Sequence, residues 1–136
     1  MLNYNVKILL AFEQAIQGNE KIFHWLLNNG YPELAALAGA INADKDALQW
    51  LLDNGYPQLA VLSNAIDGDL DAYLWLKKYN FLFYIVFANA CRGKESALNW
   101  LLKKDLNIFI RLANTINDIL EQQRKNTYDY HKIRFR

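Results

Sequence analysis

Carboxylates at alternate positions in Asp67-Gly68-Asp69-Leu70-Asp71 have the opening rhythm of a calcium loop. Such a loop needs oxygen ligands at its first, third and fifth positions, glycine at the sixth and a bidentate glutamate at the twelfth. Here those last two positions hold Ala72 and Lys78. A parallel copy, Asp44-Lys45-Asp46, indicates another use: these carboxylates cap helices and lie against the positive end of the helix dipole. The histidines, His24 and His131, fit no metal spacing such as His-Glu-x-x-His. A lone cysteine, Cys91, has no disulfide partner within the chain and shares a column with Ile16, Ile41, Ile66 and Ile116, which makes it a buried, inert thiol. No phosphate-cradling glycine loop and no nucleophile elbow is present. The expectation is a protein that is not an enzyme and takes no metal or cofactor.

Columns of this kind run through the chain. Tryptophan recurs at Trp25, Trp50, Trp75 and Trp100, always 25 residues apart. Leu26, Leu51, Leu76 and Leu101 follow them, and Ala15, Ala40, Ala65 and Ala90 form another column that continues in Thr115. A fixed short period means a stacked array. Each copy holds two helical patterns. One starts at Pro32 or Pro57 and carries the apolar stripe Leu34, Leu37, Ala38, Ile41. The other starts at the N-caps Asn19, Asp44 or Asp69 and ends at Gly30 or Gly55, where glycine fits a left-handed C′ position. Gly-Tyr-Pro is therefore stop, turn and restart. The tryptophan column reads as core, gluing one repeat to the next.

Segments such as AIQGNEKIFHWLLNNG and AIDGDLDAYLWL resemble the ankyrin repeat, over roughly Ile8 to Asn117. Two features depart from that family: Tyr-Pro-x-Leu replaces Thr-Pro-Leu-His, and the shorter period leaves no room for the β-hairpin finger. The resemblance implies an all-α, hairpin-less α-solenoid of stacked helical hairpins and a protein-binding role. Residues 1–120 make one repeat domain of about four and a half copies. Residues 121–136 form a basic, aromatic tail or the end of a capping helix.

The N-terminus lacks a basic region and a small-residue cleavage site, and the longest apolar run, Phe81–Ala88, falls short of the roughly 20 residues a bilayer span takes. The expected location is cytoplasmic. The net charge of +1 hides a gradient: residues 1–76 hold nine acidic and three basic residues, residues 77–136 five and twelve. In an open array that gradient separates charge along the long axis and favours head-to-tail contact, so the expectation is a monomer or weak, salt-sensitive self-association.

Three features point to partners. The polar column Gln14, Gly39, Asn64, Asn89, Asn114 is either an amide ladder between turns or the floor of a concave surface. Phe83 and Ile108 replace the Glu33 and Gln58 of earlier copies, which predicts an exposed apolar patch unless the C-terminal segment folds back over it. The tail interleaves basic and aromatic residues, a pattern that suits single strands, although a solenoid also needs a terminal cap. The leading expectation is a protein-interaction module that uses the inner-helix face. Asn64, Asn89 and Asn114 would supply polar contacts there, and Phe83, Val86, Ile108 and Arg111 the anchors. The alternative is a nucleic acid or other anionic partner on Lys77, Lys78, Lys103, Lys104, Arg111 and the tail.

Overall fold

The computed structural model describes the backbone of residues 1–134 and the side chains of residues 1–126. Among the described residues there are nine helices and no strand. They are α1 Val6–Ile16, α2 Glu20–Asn28, α3 Pro32–Ile41, α4 Lys45–Asp53, α5 Pro57–Ile66, α6 Leu70–Lys78, α7 Leu82–Cys91, α8 Glu95–Lys103 and α9 Asn107–Arg134.

Local chemistry sets these boundaries. The Asn5, Asn19, Asp44 and Asp69 side chains accept backbone N–H bonds from the first turns of α1, α2, α4 and α6. Pro32 and Pro57 open α3 and α5, where a missing N–H costs nothing. At the end of each even-numbered helix, the N–H of Tyr31, Tyr56, Phe81 or Leu106 donates to the carbonyl of Leu26, Leu51, Leu76 or Leu101 at 2.9–3.0 Å. This Schellman closure needs one left-handed residue: Gly30 and Gly55 supply it twice, and Asn80 and Asp105 adopt it in the later copies.

The odd-numbered helices form an inner layer, each packed on the next, and α9 packs back on α1. The stack of helical hairpins therefore closes into a ring of five parallel inner helices. Phe12, Leu37, Leu62, Phe87 and Leu112, one column of the repeat, are wholly buried. Buried Ala15, Ala40, Ala65 and Ala90, with Ala38, Ser63, Ala88 and Ala113, are small enough to let neighbouring inner helices approach closely. Each even-numbered helix lies outside, in the groove between two inner helices, held by the wholly buried Leu26, Leu51, Leu76 or Leu101.

Two expectations need correction. The tryptophans are not core: Trp25 is 43% and Trp100 39% exposed, and Trp50 and Trp75 are half-buried. One residue along a helix is a rotation of about 100°, and the adjacent leucine takes the inward position. Three of the indoles instead lie flat on the aromatic residue six positions on; Trp100, followed there by Leu106, does not. The interplanar angles are 14° for Trp25–Tyr31, 11° for Trp50–Tyr56 and 12° for Trp75–Phe81. The linear charge axis is also replaced. With α9 on α1, the acidic start and the basic end of the chain are neighbours.

Candidate interaction surface at the amino-terminal face of the ring

Because the inner helices run parallel, the ring has two unlike faces. At the carboxy-terminal face the last carbonyls of each inner helix need donors. The final carbonyl of three of these helices takes its donor from one copy further on: Asn42 donates to Ile16 O at 3.0 Å, Arg92 to Ile66 O at 3.2 Å and Asn117 to Cys91 O at 2.9 Å. Asp67 holds the matching position for Ile41 and cannot donate as a carboxylate. Gln123 of α9 reaches across and fills the gap at 3.0 Å. The extension of α9 thus seals this face, with Leu120 buried beneath it. A cleft of about 470 Å³ remains among Ile66, Asp67, Arg92, Leu120, Gln123 and Arg124. Its Arg92 is committed to Ile66, and its Arg124 pairs with Glu121 at 3.2 Å. Burial raises the Asp67 carboxyl above its usual range, and the nearby Arg92 charge opposes that shift. This face is a structural seal.

The seam between α9 and α1 is also structural. Glu13, buried, accepts from Arg111 Nε at 3.0 Å, Arg111 Nη2 at 2.9 Å and Thr115 Oγ1 at 3.1 Å. The hydrogen bond and charge of Glu13 hold the Arg111 guanidinium even more firmly protonated than usual. Glu13 occupies the column of Ala38, Ser63, Ala88 and Ala113, and Thr115 that of the alanines. Three polar residues in apolar columns were the available sign of a closing seam.

The amino-terminal face is different. The first residues of the chain cross it: Tyr4 packs edge-on against Tyr31 and donates its hydroxyl to the buried Glu33 at 2.8 Å. Burial and this bond to a carboxylate push the Tyr4 phenol well up. Residues 1–3 then reach α5 and α7. One cleft of about 320 Å³ lies among Met1, Asn3, Tyr4, Tyr56, Gln58 and Tyr84. A second, of about 300 Å³, lies among Met1, Leu2, Asn3 and the run Asn80 to Tyr84. Beside the second cleft, Leu82 is 64% and Leu2 53% exposed. Leu82 stands where Pro32 and Pro57 stand in earlier copies.

The seven candidate contact residues do not converge. Phe83 and Ile108 are half-buried at this amino-terminal face, with Phe83 packed 4.9 Å from Phe109. Met1, Leu2 and Asn3 of the N-terminus lie beside Phe83. Val86 is half-buried on α7, and Arg111 is held by Glu13. Asn64, Asn89 and Asn114 face outward: Asn89 lines a groove with Asp69 and Tyr73 of α6, and Gly39 and Phe23 line the equivalent groove two copies earlier. At position 39 a Cβ would meet that of Ala47 at 2.9 Å, so glycine is required by the approach of α4. The expected open concave surface on the inner helices is absent among the described residues, because ring closure fills it with core. Tyr128–Arg136 of the tail lie outside the described side chains; the backbone of α9 is helical to Arg134.

Among the described residues no helix is long and apolar enough to cross a membrane, and no group of three or more His, Cys, Asp or Glu could hold a metal. No protein-family model matches the chain, and no curated protein or solved structure matches it.

Proposed function

We propose that this is a protein-interaction module whose partner docks on the amino-terminal face of the helical ring. The observation that carries the reading is the exposure of Leu82 beside the cleft that Leu2 and Phe83 share. Exposed apolar groups rimmed by polar ones mark contact surfaces, and aromatic residues dominate binding energy at such sites. The ankyrin-like pattern, in a form without fingers, agrees with a binding role. The polyanion reading is weaker because Arg111, one of its residues, is engaged by Glu13. Of the two association states, a monomer is favoured, since the first and last inner helices cover each other.

A photo-reactive side chain at position 82, compared with one at Leu70, tests the reading in the native cell. The two leucines are equally exposed, at 64% and 67%, on opposite faces. A discrete protein adduct from position 82 and none from position 70 is expected. Adducts from neither, or from position 70 alone, would contradict it.

A further inference from the structure

Resting on that reading of the amino-terminal face, we infer that the docking segment of the partner is acidic and amphipathic. Four turns surround this face, and their charge changes abruptly halfway round. The ends of α2 and α4 carry Asn28-Asn29 and Asp53-Asn54, whereas those of α6 and α8 carry Lys77-Lys78 and Lys103-Lys104. Both α6 and α8 pack against α7, so the two basic segments flank the start of the same inner helix. All four lysines are exposed, and among the described residues none forms an ion pair. Lys78 lies over the Tyr79 ring at 5.5 Å and Lys104 over Trp100 at 5.6 Å, contacts that hold the ammonium groups at the rim. The nearby carboxylate of Asp105 takes a bond from Asn107 at 3.2 Å.

The rim borders the apolar floor of Leu2, Leu82 and Phe83. A segment with leucine or phenylalanine on one side and carboxylates on the other matches both parts. Unpaired lysines around an apolar patch select charge sign as well as strength. A nucleic acid fits less well: Phe81 is already sandwiched between Trp75 and Tyr84, at 5.7 and 5.5 Å, and leaves no open face for a base. An anionic bilayer would press on the whole face, including the exposed Asp53 on its far half. A peptide need cover only the basic half.

Fluorescence anisotropy with the full chain at physiological salt tests this. The probes are short, labelled helical peptides sharing one Leu/Phe stripe, with Glu, Gln or Lys at all other positions. The Glu peptide should bind at least about tenfold more tightly than the Gln peptide, and the Lys peptide should not bind. Leu82→Glu and the pair Lys78→Glu with Lys103→Glu should each weaken the Glu peptide about tenfold or more, with helical content unchanged. If the Gln or Lys peptide binds as well and Leu82→Glu still abolishes it, the acidic class is wrong and the docking face stands. Binding indifferent to Leu82→Glu overturns the face itself. Binding of phosphatidylserine vesicles or oligothymidine with no peptide binding, or of none of these probes, also overturns the proposal.

Discussion

Glu13 and Arg111 are 98 positions apart in the chain, and their side chains meet at 2.9 Å. Together with Thr115 they fasten the last inner helix to the first. The other inner-helix contacts use alanine, valine and serine at these columns, so the ion pair stands at the one junction where the chain does not continue. Glu13 is buried while Arg111 is largely exposed, and the two should respond differently to mutation. Glu13→Ala loses charge-assisted bonds, about 1.5–3 kcal/mol, but frees an arginine that water can solvate. Arg111→Ala strands a buried carboxylate and should lower the melting temperature more. Changing Glu13, Arg111 and Thr115 together to Ala, Val and Ala makes the seam resemble the others and should restore stability above either single variant. Urea denaturation measures all three.

Leu51 and Trp100 separate core from surface glue. Leu51→Ala empties a wholly buried site and should cost about 2–5 kcal/mol. Trp100→Ala removes a half-solvated ring and should cost about 1 kcal/mol. Equal losses in equilibrium denaturation would contradict the assignment of the leucine column as core.

The period, the helix pairs, the caps and the Gly-Tyr-Pro turn were legible because each depends on neighbours within one copy. Asn19, Asp44 and Asp69 announce their role in the residues that follow them. Which of two adjacent apolar columns points inward was not legible: Trp50 and Leu51 are both apolar, and only packing decides between them. Closure was harder still. It depends on the curvature accumulated over five inner helices, and its local trace is three substitutions at Glu13, Arg111 and Thr115. The clefts of the amino-terminal face needed residues 1–4, which belong to no repeat and so carried no columnar signal.

Ala43 adopts φ 69°, a left-handed conformation that glycine holds at the equivalent Gly18, Gly68 and Gly93. A β-carbon there costs about 1–2 kcal/mol. Ala43→Gly should therefore stabilise the fold by about 1 kcal/mol, less whatever entropy glycine adds to the unfolded chain. A fall in the denaturation midpoint would count against the turn geometry.

Asp67 should make the protein slightly more stable in mild acid than at neutral pH. Its folded-state pKa is raised by burial, with Arg92 opposing. Between the unfolded value near 3.8 and the folded value the native state binds more protons, so this contribution falls as pH rises through that window. Asp67→Asn should raise the melting temperature at pH 7, and the gain should vanish below the unfolded pKa. A variant less stable at neutral pH would contradict the assignment.

Ring closure is the claim on which both faces rest, and a distance tests it directly. Gln14 and Asn114 are exposed, occupy the same column of the repeat and lie on α1 and α9. Spin labels on cysteines at these positions report their separation by pulsed electron resonance. The native Cys91 is wholly buried, with its thiol pKa pushed far up by burial, and should stay unlabelled. Neighbouring inner helices predict a distribution peaking at about 20 Å or less, from one interhelical step plus the label arms. An open array would place the labels four steps apart, at roughly 35 Å or more, and that result would contradict the closed ring.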